Sequence, residues 1–199
     1  MLIVVTGPSG SGKSTILRHV LRDLRGVRFS VSHTTRPRRP SEKDGRDYHF
    51  VDRAVFERMV RRNAFVEWAV VHGQLYGTSK REVAGRGKGG DVILDIDVQG
   101  ARQVRALGLD AVFVFILPPA FRELRRRLAE RGEDKPAVVE SRLRTARREI
   151  KDYDRFDYVV INDRLDRAVL EVESIILSAR CRLGARKARV AAILRSFGA

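Results

Sequence analysis

The chain has 199 residues, 43% of them hydrophobic, which suits one domain or one core with insertions and excludes a largely disordered protein. Its single cysteine, Cys181, excludes an internal disulfide and a multi-cysteine metal site, and no basic leader or bilayer-length apolar run is present, so a cytoplasmic protein without a membrane partner is expected. The formal net charge of +15 leaves two functional classes open, a nucleic-acid-binding surface or an enzyme of polyanionic substrates, beside a plain habit of solvated arginines.

Leu2 to Thr6 (LIVVT) is a short β-branched run that reads as a buried strand. It leads directly into Gly7-Pro8-Ser9-Gly10-Ser11-Gly12-Lys13-Ser14, which fits GxxxxGKS, and then into helical spacing at Ile16, Leu17, Val20, Leu21 and Leu24. Strand, glycine loop and helix in that order form a phosphate-binding loop. Successive N–H groups and the helix N-terminus point at the anion, Lys13 neutralises it, and the Ser14 hydroxyl can ligand Mg2+. A nucleoside triphosphate is expected along Gly7 through Thr15. The motif does not say what receives the phosphate, because proteins of many functions share it.

From Phe29 to about Gly87 the strands are shorter and alternate in polarity (FSVSH, YHFV, AFVEWAVV), with one helix that Asp52 can cap. The pattern implies an inserted antiparallel or mixed subdomain. DVILDID (91–97), AVFVFIL (111–117) and YVVIN (158–162) are apolar runs, each followed by a helical pattern. Such alternation argues a parallel sheet covered on both faces. Asp95 and Asp97 fall two residues apart at the end of the first run, so both side chains should emerge on one face at the carboxyl edge of the sheet. Residues 131–149 are charged and weakly apolar, fitting either a mobile helical lid or a plain surface helix pair. Residues 180–199 carry six basic residues and no acid beside an amphipathic VAAILRSF; nucleic acid, a neighbouring subunit or solvent can each face that tail.

FSVSHTTRPRRPSEKDGRDYHFV (29–51), FVEWAVVHGQLYGTS (65–79), VILDIDVQG (92–100), ERGEDKPAVVESRL (130–143) and VINDRLDRA around Asn162 together resemble the guanylate kinase family, bacterial type, over nearly the whole chain. The resemblance implies phosphoryl transfer from ATP to GMP, with Mg2+ as cofactor. It also implies an α/β fold with a parallel sheet flanked by helices, of the P-loop nucleoside monophosphate kinase kind. Its core would span 1–30 and 88–199, with a helical lid at about 125–150 and an inserted mixed-β GMP-binding subdomain at 31–87. Ser32, Arg36, Arg39 and Tyr48 match the residues that hold the GMP phosphate; chemically, arginine forks supply charge and the hydroxyls fix orientation. Glu67, Tyr76 and Thr78 match the contacts to GMP. A carboxylate accepts from the adjacent N1–H and N2 amino donors of guanine, whereas adenine offers a bare acceptor at N1; Thr78 can donate to O6. Glu67 pairing with a nearby arginine is the alternative.

One of Asp95 and Asp97 can orient a metal shell or an arginine and the other assist at guanine; Asp95 is assigned here to GMP and Asp97 to the metal, with arginine-holding as the other reading of both. Arg131 and Arg142 match arginines that reach the triphosphate, with Arg127 a third candidate, and Asn162 the position facing the donor adenine. Catalysis is then expected from Lys13, Arg36, Arg131 and Arg142 through charge neutralisation. His33 stands where many similar proteins have serine, and either tunes phosphate affinity with pH or fills space. The competing readings are a kinase of another phosphorylated acceptor such as a ribose bisphosphate, a non-catalytic scaffold module of the same fold, which the intact phosphate loop weighs against, and a nucleic-acid binder, suggested by net charge alone. A monomer or a homodimer fits equally.

Overall fold

A computed structural model describes residues 1–84, 90–130 and 136–197. Its central sheet contains β1 (Leu2–Thr6), β2 (Val27–Phe29), β7 (Asp91–Asp95), β8 (Ala111–Leu117) and β9 (Tyr158–Ile161) in the order β2-β7-β1-β8-β9. Every pairing in it is parallel. Successive side chains of a strand point to opposite faces, so a strand covered on both sides must be apolar at every position. β1 shows this directly. Ile3 and Val5 pack beneath α1 (Lys13–Asp23) and α7 (Leu165–Arg180) with Ile16, Leu17, Val20, Val172 and Ile176. Leu2 and Val4 face the other way, onto Ala101 and Val104 of α4 (Val98–Ala106). Each fully buried aliphatic side chain contributes roughly 2 kcal/mol to holding these layers.

The inserted segment builds a second sheet from β3 (His33–Thr34), β4 (His49–Phe50), β5 (Phe65–Val71) and β6 (Gln74–Ser79), in the order β4-β3-β6-β5. β3 pairs with β4 in parallel and β6 runs antiparallel to both its neighbours. It has its own small core, Phe56, Phe65 and Leu75, closed by α2 (Arg53–Arg61). The run FSVSH does not form one strand: Phe29 ends β2 in the central sheet and His33 begins β3 in the other, so the chain crosses between the sheets at Ser30–Ser32. Asp52 precedes α2 but its side chain makes no capping hydrogen bond. A short α3 (Lys80–Ala84) follows β6 and contributes Val83 to the core under α4.

Two further corrections concern the site. The first apolar run stops at Asp95, and Asp97 instead caps α4, accepting from the Gly100 amide at 2.9 Å. The charged segment after residue 130 is less polar in its packing than in its composition. α5 (Phe121–Glu130) and α6 (Pro136–Glu149) bury Leu124, Leu128, Leu143 and Ala146 against one another. A 3-10 helix (Ile150–Arg155) leads from α6 to β9. α8 (Leu183–Ser196) buries none of its residues. Among the described residues no helix is long and apolar enough to cross a membrane.

Candidate active site

A cleft of about 590 Å3 opens between the carboxyl edge of the central sheet, the second sheet and α6. One wall is the loop between β1 and α1. Gly12 sits at the N-cap of α1 with φ 95, and a Cβ there would lie 2.1 Å from the Asn162 amide nitrogen, so both backbone and space require glycine. The Asn162 side chain, buried beside β9, donates to the Ser11 carbonyl at 2.8 Å. Arg127 of α5 donates to the Ser11 carbonyl at 3.3 Å and to the Asn162 carbonyl at 3.1 Å, while Glu123 accepts from it at 2.7 Å. Asn162 and Arg127 thus brace the loop from outside. Lys13 is folded onto the loop, its Nζ donating to the Gly7 carbonyl at 2.6 Å. Arg142 reaches across from α6 to the Ser9 hydroxyl at 3.4 Å. Gly7, Ser9, Gly10, Gly12, Lys13 and Ser14 all line the cleft.

The facing wall belongs to the second sheet. Arg36, Arg39, Ser32, Tyr48 and Tyr76 line it together. The Arg36 guanidinium lies over the rings of Tyr48 and Phe50, 5.6 and 5.8 Å from their centroids. Burial, with the charge of Asp95 next, holds the Tyr48 hydroxyl far above its ordinary range, so it stays a neutral donor. Deeper in, Glu67 is 3% exposed on β5. Its carboxylate accepts from the Thr78 amide at 2.7 Å, and the Thr78 hydroxyl stands 3.3 Å from that of Ser32. Burial pushes the Glu67 carboxyl up to about 7, against the hydrogen bonds from Thr78, with the nearby charge of Asp97 adding to the rise.

The floor joins the two walls. Asp95 ends β7 inside the cleft, its carboxyl raised by burial and drawn back down by Lys13. Asp97 accepts from the Gly100 backbone amide and from the Gln99 side-chain Nε2 at 2.8 Å, so its carboxylate is anchored to the start of α4. Gly100 lies against the Glu67 carboxylate, where a Cβ would come within 2.4 Å of Oε2. Farther along α4, Gln103 bonds both the amide and the carbonyl of Trp68, at 3.1 and 2.7 Å, and fixes β5 to the core. His33, whose ring centre lies 4.6 Å from that of the tilted His49 ring, is held below its usual range by burial and by that neighbour; it does not line the cleft.

Except Pro8, Ser11, Thr15, Thr78, Arg127 and Asn162, every described residue expected at the site lines this one cleft; Ser11, Thr78, Arg127 and Asn162 abut it through the bonds above. Arg131 lies outside the described residues. Sequence reasoning missed Glu42, Gly100 and Glu149. Glu42 Oε1 accepts from Arg36 Nη2 at 2.6 Å; an acid inside a basic run was its only signal. Glu149 falls at helical spacing from Arg142 and Thr145 and lines the cleft with them, its carboxyl raised by burial against the charge of Lys13.

The donor set suits a hard cation held mostly by a ligand. Ser14 offers a hydroxyl and Asp97 an anchored carboxylate, while among the described residues no cluster of three His, Cys, Asp or Glu could hold a metal ion alone. That is the pattern of a Mg2+ site completed by substrate phosphates and water rather than a cage of side chains.

Comparison with known proteins gives the same direction. The model of a family described as guanylate kinase matches residues 1–179. The guanylate kinase of Dechloromonas aromatica (strain RCB) is 48% identical over 193 residues, 96% of each chain. That of Thermotoga maritima is 47% identical over 183 residues, covering 92% of this chain and 88% of the relative. The crystal structure of guanylate kinase from Anaplasma phagocytophilum superposes with a TM-score of 0.77 at 31% identity, over 92% of this chain and 87% of that one. With the glycine loop and the arginines of the second sheet lining one cleft, and the family model matched over residues 1–179, the chain belongs to the guanylate kinase family.

Proposed function

We propose that the chain transfers the γ-phosphoryl group of ATP directly to the phosphate of GMP, giving ADP and GDP, as a step of purine nucleotide metabolism in the cytoplasm. Glu67 carries the choice of acceptor. A buried carboxylate is costly unless donors meet it, and the guanine edge supplies two adjacent ones where adenine supplies none at N1. A kinase of ribose phosphates has no use for Glu67 and Thr78 at the depth at which they sit.

The loop Gly7 to Thr15 takes the ATP phosphates, with Asn162 toward the donor base. Ser32, Arg36, Arg39 and Tyr48 take the GMP phosphate, Tyr76 joins Glu67 and Thr78 at the GMP, and Asp95 serves the acceptor nucleotide. Lys13, Arg36, Arg142 and Arg131 neutralise charge that spreads over the transferring group; in-line transfer asks for position and electrostatics and needs no covalent intermediate. Ser14 and Asp97 would hold Mg2+, which would supply charge neutralisation at the phosphate oxygens. The binding of Asn162 and Arg127 to the Ser11 carbonyl keeps the loop amides turned inward before ATP arrives. ATP and GMP suffice as partners; a monomer and a homodimer are both compatible with this chemistry.

A coupled assay of ADP release with ATP and, in turn, GMP, AMP, UMP and ribose phosphates tests the assignment. Turnover of GMP at least about a hundredfold more efficient than of the others is expected; comparable turnover of AMP or a sugar phosphate contradicts it.

A further inference from the structure

The acceptor-phosphate pocket holds an anion of the protein's own. Glu42 Oε1 accepts from Arg36 Nη2 at 2.6 Å, and Oε2 accepts from the Arg39 backbone amide at 2.8 Å. One carboxylate thus ties together the two residues assigned to the acceptor phosphate. Neither partner of the ion pair is a surface group: 18% of the Arg36 side chain and 14% of the Glu42 side chain are exposed. The same short loop closes on itself twice more, with the Arg38 guanidinium donating to the Glu42 carbonyl at 2.7 Å and the Glu42 amide to the Arg39 carbonyl at 3.1 Å. Arg36 is held on its remaining sides by the Pro37 carbonyl, 2.8 Å from Nη1, and by the rings of Tyr48 and Phe50.

We propose that Glu42 is a positioning residue for the acceptor phosphate, its carboxylate fixing the Arg36 guanidinium and the Arg39 main chain so that the remaining N–H groups of Arg36 meet the phosphate already oriented. An unrestrained arginine has rotamer freedom to lose on binding, and a bridge to a second residue removes much of that freedom beforehand. The carboxylate also carries a cost. It repels the phosphate dianion across a partly buried pocket. If instead Glu42 merely occupies the phosphate's place and must leave, the repulsion dominates and its removal strengthens binding. The two roles therefore predict opposite signs for the same substitution.

This inference rests on the reading of the pocket as the GMP phosphate site, and steady-state kinetics of Glu42→Gln and Glu42→Ala beside the parent separates the two. Failure of the parent to turn over GMP sinks the site reading before Glu42 is at issue. Given parent activity, the KM for GMP and the inhibition constant of inorganic phosphate against GMP are expected to rise roughly tenfold or more in Glu42→Ala. A smaller rise is expected in Glu42→Gln, which is close in shape and keeps one acceptor oxygen. The KM for ATP should stay within about twofold and kcat should change much less than the KM for GMP. A KM for GMP that is unchanged or lowered in both variants overturns the proposal. So does a loss shared equally by ATP and GMP together with a lowered melting temperature in the near-isosteric Glu42→Gln, which marks Glu42 as a fold residue.

Discussion

At the scale of single residues, the reading of guanine is tied to a protonation equilibrium. Burial raises the Glu67 carboxyl to about 7, so near neutral pH a large fraction of the free enzyme carries a neutral acid that cannot accept from both guanine donors. kcat/KM for GMP should therefore fall as pH drops below about 7, approaching tenfold per unit, because that parameter reports groups of the free enzyme. The GMP phosphate titrates near 6 as well. Glu67→Gln separates the two: it should lower kcat/KM for GMP roughly a hundredfold at pH 8, narrow the preference over AMP and flatten the Glu67 limb of the profile. The same residue has a consequence for stability. Its folded pKa is raised, so its contribution is fully favourable below the unfolded value of 4.5 and is lost as pH rises through about 7. Ionisation in place then costs roughly 3 kcal/mol by pH 8. Calorimetry should accordingly show Glu67→Gln melting several degrees above the parent at pH 8 and nearly with it at pH 4, whereas equal melting at both values would show Glu67 to be solvated.

At the scale of elements, α4 and α5 decide whether the two walls are held at the right distance. Alanine is favoured over glycine inside a helix by up to about 1 kcal/mol, yet a Cβ at Gly100 would meet Glu67 Oε2 at 2.4 Å. Gly100→Ala should raise the KM for GMP severalfold and fail to raise the melting temperature; a more stable variant with parent KM would show that β5 and α4 can separate freely. Arg127→Ala, which takes a donor from the Asn162 carbonyl and leaves the Ser11 carbonyl only its bond from the Asn162 side chain, should act on the KM for ATP and leave that for GMP. Arg142→Ala should instead lower kcat by a factor of about 100 to 1,000, as removal of a transition-state charge does. Much of this was legible in sequence. The strand, glycine loop and helix from Leu2 to Asp23 read directly, since steric and spacing requirements there are local. Gly100 was not, because its reason lies in a residue 33 positions earlier that only the docking of β5 brings beside it. Nor was the end of β7 at Asp95, since an apolar run shows burial but does not show which residue turns away to cap the next helix.

At the scale of the whole molecule, the cleft is bounded by parts that the sequence separates widely: the β1–α1 loop, the loop around Arg36 to Glu42, the end of β7, and α6. The second sheet and the α5–α6 pair each have their own small core of a few residues, and Gln103 of α4 ties the second sheet to the main body through the amide and carbonyl of Trp68. Parts with separate cores can close on one another as rigid bodies, and closure excludes water, which otherwise competes as acceptor. A bisubstrate analogue should therefore shrink the radius of gyration measured by small-angle scattering, while an unchanged profile would mean that the walls already stand at reacting distance. The central claim is that two anion pockets face each other across one cleft. A crystal structure with GMP and a non-hydrolysable ATP analogue tests it most directly: the account predicts the GMP phosphate on Arg36, Arg39 and Tyr48, guanine on Glu67, and the γ-phosphate on Lys13. Arg36 and Arg39 turned to solvent, with the GMP phosphate elsewhere, would contradict it.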